Sequence, residues 1–126
     1  MNRVCEILGI KYPVIQAPMT WITSAELVAA VCNAGGLGTL GTNAGQTDVS
    51  EDPDVVCERM KEEIRKTKKL TDKPFAINYM LPVPGMEDDP SANMFSEAVL
   101  KAAVDEDVKV IIAVGAYSEK ELTRLI

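Results

Sequence analysis

Four apolar runs, at residues 14–17, 37–40, 74–78 and 108–114, alternate with helix signals, and no other feature restricts the fold of this chain as tightly. Apolar runs without an intervening polar face suit strands covered on both sides, as in parallel sheets. A strand, a helix and another strand in the same direction require a right-handed crossover, each unit taking roughly 30 residues. The expectation is an α/β chain of parallel (β/α) units with about four strands.

The helix signals are local and chemical. Val4, Ile7, Leu8 and Ile10 with the Gly9 break read as a short lead-in that covers one end of the first strand. Thr23 and Glu26 have capping-box spacing, with Leu27, Val31 and Ala34 recurring behind them and Gly35 as the stop. Asp52-Pro53 and Asp89-Pro90 each place an N-cap before a proline at the first helical position. Val56, Met60 and Ile64 then form one apolar stripe, and Phe95, Val99, Ala102 and Ala103 another. Ser118 and Glu121 open a last helix at 118–126 that reaches no stop signal. Residues 1–126 therefore read as a single partial domain that ends after its fourth strand.

Composition excludes several function classes. The net charge of −6 opposes phosphate-backbone binding, so no nucleic-acid partner is expected. No run is long and apolar enough to cross a bilayer, and the start lacks a secretory pattern, so no membrane partner is expected. Cys5, Cys32 and Cys57 form neither a metal motif nor a disulfide framework, which fits a reducing cytoplasm. The chain contains no histidine, the commonest general base and metal ligand.

In parallel α/β folds, ligands gather at the carboxyl ends of the strands. Those ends are Ala17-Pro18-Met19, Leu40-Gly41-Thr42, Asn78-Tyr79-Met80 and Gly115-Ala116-Tyr117. A flat aromatic ligand could lie against Pro18 and Met19 and take hydrogen bonds from free backbone N–H groups. Asn78 offers donors and an acceptor to a heterocycle, a hydroxyl or a phosphate. Gly36, Gly38 and Gly41 crowd the second strand and require a tight turn or a close approach. They do not follow the G-x-G-x-x-G order of a phosphate loop, and the P-loop lysine is missing. Glu87, Asp88 and Asp89 read as a helix cap and solvated loop carboxylates, and no metal site is assigned.

Tyr12 to Met19, then Glu26 to Val31, then Asn33-Ala34-Gly35-Gly36-Leu37-Gly38 are similar to the opening of the nitronate monooxygenase (2-nitropropane dioxygenase) family. They also resemble its relatives, the flavin-containing enoyl-acyl-carrier-protein reductases. Phe75-Ala76-Ile77-Asn78-Tyr79-Met80 resembles the third-strand pattern of that family, and Val114-Gly115 followed by Ser118-Glu119 its fourth βα unit. The resemblance implies the N-terminal half of an FMN-dependent TIM barrel, with FMN contacted by Ala17, Pro18 and Met19 and hydrogen-bonded by Asn78. It implies a small-molecule substrate: an alkyl nitronate oxidised with molecular oxygen, or an enoyl thioester that takes a hydride. The family's catalytic histidine and phosphate site lie in the later half, so no catalytic residue is assigned and 1–126 alone is expected to be inactive. Open barrel edges are aggregation templates, and homo-oligomerisation through them is expected.

Overall fold

The computed structural model describes residues 2–116 and 118–126, so Tyr117, named above among the strand ends, lies outside the described residues. The elements in order are α1 (Arg3–Leu8), α2 (Ala25–Asn33), β1 (Thr39–Leu40), α3 (Pro53–Leu70), β2 (Ala76–Met80), α4 (Pro90–Asp105), β3 (Val110–Val114) and α5 (Glu119–Leu125). The strands form a parallel sheet in the order β1-β2-β3, with Thr39 opposite Ala76, and Ala76 to Met80 opposite Val110 to Val114. Among the described residues, no helix is long and apolar enough to cross a membrane.

The helix boundaries follow their caps. Asp52 accepts the Asp54 N–H, Asp89 accepts those of Ser91 and Ala92, and Ser118 accepts that of Glu121. Gly9 ends α1 at φ +67°, where a side chain would be strained. The helix α2 departs from expectation at both its cap and its face. Ser24 holds the N-cap position without a side-chain bond, and Thr23 is used elsewhere. The first α2 amide is instead capped from α3, where the Ala25 N–H donates to Glu63 Oε1 at 2.7 Å. The buried face of α2 is Ala25, Val28, Ala29 and Cys32, rather than the expected Leu27, Val31 and Ala34.

Three of the four expected strands are also corrected. The segment 14–17 makes only an isolated parallel bridge, Ile15 opposite Leu37, and the second run keeps two strand residues, Thr39–Leu40. The third strand begins two residues later than its apolar run and continues to Met80, because β3 pairs with it that far. Pairing with a neighbour, not hydrophobicity, decides where a strand ends.

Side chains alternate across the sheet. Leu40, Ile77 and Ile111 point to the helix side and pack with Val28, Met60, Ile64, Val99 and Ala102. Leu37, Ala76, Val110 and Ile112 point to the opposite, inner side, where Cys5, Leu8 and Ile10 of the lead-in cover them. The lead-in, expected to cover one end of the first strand, instead plugs one end of the inner face against Leu37, Ala76, Val110 and Ile112 and leaves the other end open.

Candidate functional site at the strand ends

The open end is built around the 14–23 segment. Its ladder with the second strand starts normally: the Leu37 N–H donates to the Val14 carbonyl, and the Gln16 N–H to the Leu37 carbonyl, both at 2.9 Å. The next bond does not use main chain on both sides. The Thr39 N–H donates to the Gln16 side-chain Oε1 at 3.0 Å, while Gln16 Nε2 donates to the Ala17 carbonyl and, at a long 3.5 Å, to that of Thr39.

Beyond Pro18 the chain is fastened by Thr23. The Met19 N–H donates to Thr23 Oγ1 at 3.2 Å, and that hydroxyl donates to the Met19 carbonyl at 3.0 Å. The expectation of free backbone N–H groups around Ala17, Pro18 and Met19 is therefore narrowed to one. Proline has none and that of Met19 is taken, so the Ala17 N–H alone of the three has no acceptor among the described residues. The Met19 side chain is 44% exposed.

The glycines of the second strand answer to packing against this segment and against α2. A Cβ on Gly36 would lie 3.0 Å from the Val14 carbonyl oxygen, one on Gly38 2.5 Å from that of Val28, and one on Gly41 2.8 Å from that of Met19. Main chain lies within 3.0 Å in each case, and at Gly41 the Thr23 Oγ1 is nearer still at 2.6 Å, which explains the glycines without a phosphate.

Asn78 lies within β2, opposite Ile112, rather than at the end of its strand. Its Oδ1 is buried and accepts no hydrogen bond among the described residues, and the same holds for Thr39 Oγ1. The register puts Thr39 level with Ala76, so both groups sit on the inner face, Asn78 one step nearer the open end. An orphaned buried acceptor costs about 1–3 kcal/mol, so two on an otherwise apolar face call for a partner. Thr39 and Gln16 escaped sequence reasoning; a threonine within a glycine-rich apolar run and a glutamine two residues before a proline were the available signals.

Of the other polar groups of the core, Glu63 and the cysteines are structural, and the Tyr79 hydroxyl is likewise buried without a hydrogen-bond partner among the described residues. Glu63 is 6% exposed and serves as the α2 cap, with Gly45 at φ +71° making room for its carboxylate. Burial pushes the thiols of Cys32 and Cys57 up, so both stay protonated and unreactive at neutral pH. The Tyr79 hydroxyl is on the helix side, where burial pushes it up and Glu97 adds to the effect. There Arg124 spans Glu97 at 2.8 and 2.5 Å, joining α5 to α4. The cavity of about 310 Å³ lined by Lys68, Lys73 and Lys109 opens beside the residues that precede β2 and β3, opposite the strand ends.

A family model described as nitronate monooxygenase matches residues 1–123. The chain is 45% identical over 82 residues to the nitronate monooxygenase of Paraburkholderia phytofirmans, covering 65% of this chain and 20% of that one. It is 38% identical over 87 residues to that of Pseudomonas aeruginosa, covering 69% and 22%. Among solved structures, FabK from Thermotoga maritima superposes with a TM-score of 0.73 at 26% identity, covering 99% of this chain and 34% of that one. A nitroalkane oxidase from Streptomyces ansochromogenes shares the fold, with a TM-score of 0.68 at 22% identity, covering 98% and 39%. The matches to the curated relatives take in about a fifth of their length, and the superpositions between a third and two-fifths of the solved chains. The parallel (β/α) units, the strand-end geometry and the match over residues 1–123 together place this chain in the nitronate monooxygenase family, on part of a TIM-barrel fold.

Proposed function

We propose that residues 1–126 form the flavin-facing wall of an FMN-dependent oxidoreductase that oxidises alkyl nitronates with molecular oxygen. The observation that carries the reading is the buried, unpartnered Asn78 Oδ1 on the inner face of β2. A flavin ring presents donors and acceptors along one edge and an apolar face. Asn78 supplies an acceptor and an amide donor, the Ala17 N–H a second donor, and Pro18 with the Met19 side chain an apolar surface. The residues present fit the ring.

FMN would supply the electron transfer between substrate and oxygen. The contribution of this chain is to hold one side of the ring and exclude water from it. With no histidine in the 126 residues, no imidazole base is available here to take a proton from substrate. Phosphate binding supplies much of the affinity for a charged cofactor, and none is assigned to these residues. The chain alone is therefore expected to bind FMN weakly and to turn over no substrate.

Titration of the chain with FMN tests the reading. Saturable quenching of flavin fluorescence that Asn78→Ala weakens supports it; no quenching at any attainable concentration overturns it. Assays on a longer form carrying the remaining strands separate the substrates. Oxygen uptake with a nitronate is the expected result, and nicotinamide oxidation with an enoyl thioester would move the assignment to the reductase relatives.

The chain by itself is also proposed to self-associate. Among the described residues the sheet ends at β3, and Ile15, Met80 and Val114 on the inner face are 44%, 47% and 43% exposed. Light scattering should show a mass above that of one chain, and a monomer maintained at high concentration would refute this.

A further inference from the structure

We infer that Gln16 is a positioning residue for the cofactor wall: its carboxamide replaces the main-chain bonds that the 14–17 segment stops making, and so sets where Ala17 to Met19 lie. The inference rests on the flavin reading for its consequence, but not for its geometry.

In a parallel ladder the bonds alternate in a fixed order. After the Gln16 N–H has donated to the Leu37 carbonyl, the Gln16 carbonyl should accept from Thr39 and the N–H of residue 18 should donate to the Thr39 carbonyl. The second bond is impossible, because residue 18 is proline and has no N–H. The Gln16 side chain fills both places. Its Oε1 accepts the Thr39 N–H at 3.0 Å and its Nε2 reaches the Thr39 carbonyl at 3.5 Å. A carboxamide has the donor and acceptor of a peptide unit, so it completes the ladder in place of the missing one.

The substitution frees the main chain one residue earlier than a continuous strand would. Gln16 Nε2 also binds the Ala17 carbonyl, so one side chain ties the departing strand to β1 and fixes the orientation of the Ala17 peptide. At the other end of the turn, Thr23 holds both main-chain groups of Met19. Ala17 and Pro18 are thus suspended between two side-chain anchors, with the Ala17 N–H left available. Only a side chain with donor and acceptor at this reach serves; glutamate lacks the donor, and methionine both.

Two variants and two readouts test this in the full 126-residue chain. In Gln16→Met, amide exchange at Thr39 should accelerate while Leu37, bonded to the Val14 carbonyl, stays protected. Affinity for FMN should fall about tenfold, the equivalent of one lost hydrogen bond. In Gln16→Glu, Thr39 should stay protected, because the acceptor survives. FMN affinity should still fall, because the Ala17 carbonyl then faces a carboxylate instead of a donor. This second variant also serves if Gln16→Met fails to fold. Unchanged Thr39 exchange in Gln16→Met would overturn the ladder assignment whether or not flavin binds. Faster Thr39 exchange with unchanged FMN affinity would overturn the positioning role. Absence of FMN binding in the unsubstituted chain would overturn the flavin reading alone, leaving the exchange result to decide the role of Gln16 in the ladder.

Discussion

Replacing Gly38 with alanine tests whether the crossing of α2 over the second strand is as tight as the structure shows. The added Cβ would lie 2.5 Å from the Val28 carbonyl oxygen and 2.9 Å from the Val28 Cα. Ordinary contact begins at 3.4 Å, so the carbonyl must retreat by about 0.9 Å. Neither atom belongs to a side chain that can rotate away. Val28 is fully buried in the middle of α2, so the helix has to move as a body. That motion also pulls the Ala25 N–H from Glu63 and disturbs the contact of the Gly38 N–H with Cys32 Sγ, 3.3 Å long. Overpacking a core costs typically 1–3 kcal/mol, and a main-chain clash belongs near the top, at about 3 kcal/mol. For a chain of this size that corresponds to a fall in Tm of roughly 10–15 °C. Urea unfolding followed by circular dichroism measures it. Gly85→Ala is the control: φ is +88° but nothing lies within 4 Å, so only backbone strain remains, about 1 kcal/mol. A Gly38→Ala protein within about 1 kcal/mol of the parent, or less affected than Gly85→Ala, would refute the argument.

Glu63→Ala removes the acceptor of the first α2 amide and a carboxylate at the positive end of that helix, which should cost about 2 kcal/mol in chemical denaturation, with Glu63→Gln losing less. Equal losses in the two variants would show that the bond to Ala25 contributes nothing. Lys101 at 2.7 Å and Lys61 at 2.9 Å hold Asp105 down from 3.8 to about 2. A carboxylate that ionises more readily in the folded state stabilises the fold fully above its unfolded value and loses that contribution as the pH falls through its folded value. Stability should therefore decline between about pH 4 and 2, less steeply in high salt because the group is exposed, and Asp105→Asn should flatten that limb. An identical acid limb in the variant would exclude Asp105 as a cause. Asn78→Leu replaces an orphaned buried acceptor with an apolar group of the same branching, so the protein should gain about 1 kcal/mol in stability and bind FMN more weakly. A loss of stability instead would mean that Asn78 is satisfied in the folded protein.

What the sequence revealed and what it hid divides by the range of the interaction. Asp52-Pro53, Asp89-Pro90, Ser118 and Gly9 mark helix ends through bonds to residues two to four positions away, and the structure repeats them. The buried face of α2 was hidden, because Ala25, Ala29 and Cys32 are small. They point inward where the helix rides closest to the sheet, while the larger Leu27 and Val31 are left half-covered. The end of β2 was hidden because β3, some 30 residues later, determines it. At the site, Ala17 to Met19 were legible as a strand end, but the state of the Met19 main chain was not. Thr23 carries a capping signal and uses its hydroxyl on Met19 instead. Hydroxyls that can serve either role choose by geometry that only the folded loop supplies.

The same loop accounts for three oddities that composition leaves unrelated. Glycine at 36 and 41, glutamine two residues before Pro18, and the diverted Thr23 lie where the segment 14–23 meets residues 36–42, and Gly38 lies where α2 crosses the same strand. Glycine lets main-chain oxygens of Val14, Val28 and Met19 approach within 3.0 Å of where a Cβ would stand. Gln16 and Thr23 then satisfy the main-chain groups that this crossing and Pro18 leave without strand partners. A glycine-rich strand beside an X-Pro turn therefore reads here as two backbones packed at minimum separation. The side-chain amide and hydroxyl then hold the turn at Ala17 to Met19 in place of a regular ladder, and the Ala17 N–H has no acceptor among the described residues.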